Sequence, residues 1–147
     1  MSIPPTNSPD VDFDNLIGGF IGSGSARNVY KVNDNPNVVI KVAKSQRQNG
    51  ANQQEERYYF QAAIAQNQSV LNVIGKVESI SQTGKYLVME YLSDITDSNL
   101  VSVQVPSDLT DIKRSNFGYD STGNIKMRDY GQTKKPQSSR LTVPFFI

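Results

Sequence analysis

Histidine, cysteine and tryptophan are absent from the 147 residues. Without histidine or cysteine the chain cannot build a Cys/His zinc site, a thiol nucleophile, a disulfide framework or a Ser-His-Asp triad. Any catalysis is confined to carboxylates, Lys, Arg, Tyr, hydroxyl groups or a metal held by oxygen ligands. An excess of either charge is also missing. Lys and Arg number 15 against 14 Asp and Glu, which argues against the clustered basic surface that nucleic-acid binding needs. No apolar run approaches the roughly 18 residues of a membrane span, and residues 1–14 lack the basic start and apolar stretch of a secretory signal. The expectation is a soluble, cytoplasmic chain with no membrane or nucleic-acid partner and one hydrophobic core.

Residues 1–14 carry Pro4, Pro5 and Pro9 among Ser, Asn and Asp, a composition that predicts a flexible arm. From residue 15 the pattern changes. Three runs rich in apolar residues, 16–21, 28–32 and 38–42, are separated by Gly/Ser and Asn/Pro turn residues and predict an antiparallel meander. Residues 51–66 lack Gly and Pro and place Tyr59, Ala62 and Ala63 at helical spacing, predicting a helix of about four turns. Two further strand-like runs, 70–77 and 86–91, follow, with Gly84 in the turn between them. The order β-β-β-α-β-β over 15–92 is an α+β arrangement. Residues 93–107 read as a linker, 108–131 as two turns joined by a short hairpin around 120–124, and 132–147 as a tail that is basic and then apolar.

Three groups of residues carry chemistry. Gly22-Ser23-Gly24 lies between two strands, where glycine allows backbone N–H groups to approach a phosphate closely. Lys41 ends the third strand run and Glu56 lies on the helix that follows; a carboxylate there would hold the ammonium group toward nucleotide phosphates. Asp111 precedes Asn116 by five residues and Asn116 precedes Asp129 by thirteen. An amide oxygen and a carboxylate at Asn116 and Asp129 are hard ligands suited to Mg²⁺, leaving Asp111 to orient a hydroxyl and accept its proton.

In this order the chain resembles the protein kinase superfamily from residue 16 to residue 131. Gly22-Ser23-Gly24 with Val29 resembles the Gly-rich loop, Val38-Val39-Ile40-Lys41 the V-A-I-K strand, and Glu56 the helix glutamate, with Phe60 one turn later. Residues 86–92 resemble the last strand running into the hinge, with Met89 as gatekeeper; 111–116 resemble the catalytic loop and Asp129-Tyr130-Gly131 the D-F-G motif. The resemblance implies a kinase-like N-lobe, a five-stranded antiparallel sheet plus one helix, followed by a hinge and a minimal C-lobe stub. It implies ATP and Mg²⁺ as cofactors. Backbone amides from Gly22 through Ser23, Gly24, Ser25 and Ala26 would cover the phosphates and Lys41, held by Glu56, would bind them. Val29, Val39, Met89 and the backbone of Glu90, Tyr91 and Leu92 would enclose the adenine. Asn116 and Asp129 would hold the metal, and Asp111 would be the catalytic base.

The pattern also departs from the family. Arg27 replaces the third glycine, Leu109-Thr110 replace the His-Arg before the catalytic Asp, Gly118 replaces a large apolar floor residue, and Arg128 replaces a small or apolar residue before Asp129. Losing the His-Arg arginine implies no phosphorylated activation-loop switch. Only 18 residues separate Leu92 from Asp111, too few for the two helices that follow a kinase hinge, and residues 132–147 are too few for an activation segment. The apolar stretch Leu141–Ile147 is expected to pack back beneath the catalytic loop, or to dock on a second copy or another protein. The leading functional expectation is a miniature ATP- and Mg²⁺-dependent kinase acting on a protein hydroxyl. The alternatives are a pseudokinase or assembly module and a small-molecule kinase. Economy of length suggests a phage protein, in the host cytoplasm or virion, or a secreted effector.

Overall fold

The computed structural model describes residues 2–131, 140–142 and 144–147. It is an α+β fold built on a five-stranded antiparallel sheet in the order β1-β2-β3-β5-β4 and one main helix. The strands are β1 (Ile17–Ser23), β2 (Arg27–Val32), β3 (Asn35–Ala43), β4 (Val77–Ile80) and β5 (Tyr86–Glu90); the helix α1 spans Asn49–Ile64. Among the described residues no helix is long and apolar enough to cross a membrane.

Side chains alternate across a strand, and here both faces of the central strands are covered. Val38 and Ile40 of β3 with Tyr86 and Val88 of β5 face Phe13 and Leu16, while Val39, Leu87 and Met89 face Tyr58 and Ala62 of α1. Burial on both sides is why residues 38–42 are apolar on both faces except at Lys41. The outer cover comes from the segment whose composition predicts a flexible arm, and that expectation is corrected. Phe13 and Leu16 lie in a short 3-10 segment, Asp10–Leu16, and are fully buried. Phe13 stacks on Tyr86 at 6.0 Å, and the Tyr86 hydroxyl donates to Asp14 at 2.5 Å. Asn7 N–H donates to Ile80 O, and Ser79 Oγ to Pro4 O. Two buried apolar side chains and these bonds fix a stretch that is polar in bulk composition.

A second correction concerns residues 70–77. The helix ends at Ile64, Gln66 two residues on turns the chain out with a φ of 53°, and a one-turn helix α2 (Gln68–Leu71) follows. Val70, Ile74 and Val77 carry the buried side chains of this run. Their spacing of four and then three suits a helical turn and its exit, whereas a strand would alternate. The fourth strand therefore begins only at Val77.

Below the sheet, the linker and tail pair with each other. β6 (Ser102–Val103) is antiparallel to β9 (Phe145–Phe146), and β7 (Phe117–Tyr119) forms a hairpin with β8 (Ile125–Met127). Val103, Val105 and Leu109 are buried in the main core, and Leu141 and Ile147 pack against it. Of the expectations for residues 141–147, packing within the same chain is what the backbone shows; Phe146 remains 67% exposed. Residues 132–139 and 143 lie outside the described residues. Deleting residues 141–147 should cost about 2 kcal/mol of lost apolar burial, lowering the melting temperature by roughly 4–8 °C. An unchanged melting curve in calorimetry would show that this packing contributes nothing.

Candidate active site

The site begins with the helix face. Asn52, Glu55, Tyr58 and Ala62 are the buried positions along the body of α1. Of the three residues expected to face inward, Ala62 does, whereas Tyr59 and Ala63 each stand one residue off the stripe. The shift decides which carboxylate meets Lys41. Lys41 Nζ donates to Glu55 Oε1 at 2.5 Å, and Glu56, about 100° further round the helix, is only half-buried. The expected Lys41–Glu56 pair is corrected to Lys41–Glu55. Two of the four buried positions are polar, so apolar periodicity does not reveal this face.

Glu55 has no exposed surface and accepts four hydrogen bonds. Lys41 and Arg27 Nη1 donate to Oε1, at 2.5 and 3.2 Å; Arg27 Nη2 and the Tyr130 N–H donate to Oε2, at 3.2 and 2.8 Å. Arg27 opens β2 just after the glycine turn, where Gly24 N–H donates to Arg27 O. Its guanidinium also donates to Asn52 Oδ1 at 3.0 Å and to Asp129 Oδ1 at 2.9 Å. Asn52 Nδ2 in turn donates to the Lys41, Gly84 and Lys85 carbonyls. Gly131 completes the close approach: a Cβ there would stand 2.7 Å from Ala51 O on α1. Sequence reading missed the part played by Arg27 and Asn52. The signal for Arg27 was its place at a glycine position, read as a loss when it is also a charge.

Burial is the largest single influence on each of these charges, and the neighbouring charges decide the outcome at two of the three. It pushes the Glu55 carboxyl up, but Arg27 and Lys41 outweigh it and hold the group at about 2. Burial, aided by the Arg27 charge, pushes the Lys41 ammonium below its usual range against the pull of Glu55 and Asp129. Arg27 is also disfavoured by burial, yet Glu55 and Asp129 raise it above its ordinary value.

The second half of the site is the 111–116 loop. Asp111 has φ 59°, a left-handed conformation that is costly for a residue with a Cβ. Asn116, buried, holds it there by donating Nδ2 to Asp111 O at 2.6 Å and to Oδ2 at 3.2 Å. Asp111 is exposed, with Lys113 Nζ 3.8 Å away. Arg128 N–H donates to Asn116 O, so Asp129 follows directly from the strand that borders the loop. Lys41 Nζ also donates to Arg128 O at 2.5 Å, which joins the two halves.

The adenine-side residues are more crowded. Met89 and Leu92 are buried, Val39 nearly so, and Val29 packs against the same core. Tyr91 is exposed and its N–H donates to Asn37 O, while Glu90 N–H donates to Lys76 O. Arg128 turns its guanidinium to main-chain carbonyls and to one carboxylate. Its Nη1 donates to Leu92 O at 2.9 Å, its Nε to Ser115 O at 3.1 Å, and it pairs with Asp94 at 2.8 Å. Ser93 and Tyr119 exchange both backbone hydrogen bonds at 2.9 Å. A Cβ at Gly118 would stand 2.6 Å from Ser93 O and 2.8 Å from Leu92 Cβ, so glycine is what lets β7 lie against this segment. Gly22 and Ser23 end β1, paired with Val29 and Asn28 of β2, and Gly24, Ser25 and Ala26 form the turn between the two strands.

The donor types fit the group that the resemblance implies. Two fixed cations, Lys41 and Arg27, suit phosphate oxygens, and the Asn116 amide and the partly exposed Asp129 carboxylate suit a hard ion such as Mg²⁺. Among the described residues no three or more acidic side chains gather into a metal cluster, so water and phosphate oxygens would complete the shell. Neither protein-family models nor curated proteins match this chain.

Replacing Glu55 by Gln should destabilise by about 3–5 kcal/mol, because buried Arg27 and Lys41 lose their counter-charge. Glu56→Gln should stay within about 0.5 kcal/mol. Equilibrium urea unfolding measures both, and equal effects would contradict the pairing. The folded pKa of Glu55, about 2, lies below the ordinary value of 4.5. Its contribution is therefore fully present above pH 4.5 and lost as pH falls toward 2. The Gln variant should show a flatter decline of stability across that window.

Proposed function

We propose that the chain is a miniature kinase-like phosphotransferase that binds ATP with Mg²⁺ and passes the γ-phosphoryl group to a hydroxyl, most simply of a protein. The observation that carries this reading is the Glu55 carboxylate, which joins Lys41 on β3 to the backbone N–H of Tyr130 in the Asp-Tyr-Gly motif. One residue thereby brings the phosphate-binding lysine and the metal-binding aspartate into a single network. The Asp111–Asn116 contact supplies the other requirement, an oriented and exposed carboxylate.

In this reading the turn at 22–26 covers the phosphates, with Lys41 and Arg27 as their cations. Asn116 and Asp129 hold the metal, which neutralises charge on the transferring group. Asp111 accepts the proton of the incoming hydroxyl. Transfer of this kind depends on positioning and charge neutralisation more than on covalent help from the protein, which suits a site made of so few groups.

A second reading, a nucleotide-binding or assembly module without turnover, is favoured by Arg128. Its side chain crosses from Ser115 to Leu92 on the side where adenine would lie. The two readings part on transfer. With saturating Mg-ATP, at about 100 times its dissociation constant, the melting temperature should rise by roughly 5–11 °C, from about 2.7 kcal/mol of linkage. Asp111→Asn should keep that rise while slowing γ-phosphoryl transfer from radiolabelled ATP at least about 100-fold. A rise without transfer by the unaltered chain would leave the binding module, and no rise at all would remove both readings.

A further inference from the structure

Asp129 already has a cation. Arg27 Nη2 lies 2.9 Å from its Oδ1, and the Arg27 side chain is only 7% exposed whereas that of Asp129 is 42% exposed. The guanidinium is not a loose surface group that happens to touch an acid. Its other bonds run to Asn52 Oδ1 and to both oxygens of Glu55. A planar fork held on three acceptors keeps its orientation whether or not Asp129 stays attached. Lys41 shares Glu55 Oε1 with it, so two fixed cations border one accessible carboxylate.

Charge counting shows what this does. Arg27 and Lys41 balance Glu55 and Asp129, leaving the network neutral without any metal. A divalent ion arriving alone at Asp129 would meet a carboxylate that is already neutralised and two positive groups behind it. A polyphosphate would meet two donors already in place, with the cost of burying and orienting them met by Glu55 and Asn52.

We infer that Arg27 is the resident counter-cation of Asp129, so that the phosphates of a nucleotide bind here without a divalent ion and the metal enters only with or after them. The inference rests on the nucleotide site proposed above and assigns its order of assembly. Asn116 and Asp129 would still hold Mg²⁺ for the transfer step. What the ion loses is its usual part in recruiting the nucleotide.

The test is titration calorimetry with ATP in excess EDTA and with Mg-ATP, alongside Mn²⁺ alone followed by the resonance of the free ion. In the unaltered chain, ATP in EDTA should bind within about threefold of Mg-ATP, and Mn²⁺ alone should stay free. In Arg27→Gln, ATP affinity in EDTA should fall at least about tenfold, Mg-ATP should still bind, and Mn²⁺ alone should now be taken up. Arg27→Lys restores a positive charge without the fork. It should recover part of the metal-free affinity, and it replaces the Gln variant if that protein does not fold. A requirement for Mg²⁺ in the unaltered chain, or Mn²⁺ uptake equal in both proteins, overturns the inference and leaves the nucleotide site standing. Absence of ATP binding in either buffer overturns the inference and the nucleotide site together.

Discussion

A single buried carboxylate organises this molecule. Glu55 is removed from water and surrounded by Arg27 from β2, Lys41 from β3 and the Tyr130 amide beyond β8. A charge buried in this way is tolerable only when its lone pairs are filled, and here each oxygen accepts two bonds. The arrangement is a poor source of net stability compared with apolar packing. What it supplies is registration: moving α1 by one residue, or sliding the segment 128–131, would leave buried charges without partners. Asn52 extends the same constraint to the β4–β5 turn through Gly84 and Lys85. The sheet, the helix and the residues after the hairpin thus share one fixed point.

The strands were legible where the covering surfaces are apolar. Residues 28–32, 38–42 and 86–91 are strands because β-branched and aromatic side chains alternate between two cores, and the turns between them carry Gly, Asn and Pro. The errors fall where polar groups are buried or a few apolar ones do a large share of the work. Composition over residues 1–14 hides Phe13, which with Leu16 just beyond caps the outer face of β3 and β5. The run 70–77 is apolar enough for a strand, but its buried residues follow helical spacing. On α1, a scale that rewards apolar residues chooses Tyr59 and Ala63, and with them Glu56. The true inner stripe includes Asn52 and Glu55, which are buried through partners on distant segments, and pairings at that separation leave no trace in local pattern.

The same logic explains the two arginines at positions where the resemblance leads one to expect a glycine (27) and a small or apolar residue (128). They do different things. Arg27 takes the space freed at the glycine turn and reaches inward to carboxylates. Arg128 turns toward backbone, bonding Ser115 O and Leu92 O. Gly118 belongs to this second change, since a side chain there would collide with Leu92 and Ser93. With it gone, β7 lies directly on the segment following β5, sealed by the reciprocal Ser93–Tyr119 bonds. Charged side chains thus gather around Glu55 and Asp129, while β7 and the segment after β5 close on each other at Gly118.

How the 111–116 loop is held with so little beneath it then has a physical answer. Arg114 sends its guanidinium to Asp97 O, Asn99 O and Ile147 O, joining the loop to the linker and the tail at once. Arg128 secures the far side of the loop, and the Tyr58 hydroxyl donates to Asp108 Oδ1 at 2.7 Å just before it. Each arginine offers five donors in a rigid plane, and a main-chain carbonyl cannot rotate away as a side chain can. Such ties do locally what a packed helical layer does by bulk. They fix position through direction, at a small cost in buried apolar area. The function proposed above, in which a displacement of about 1 Å costs on the order of 100-fold, calls for directional restraint more than bulk, and the two arginines concentrate it on the residues that frame Asp111 and Asp129.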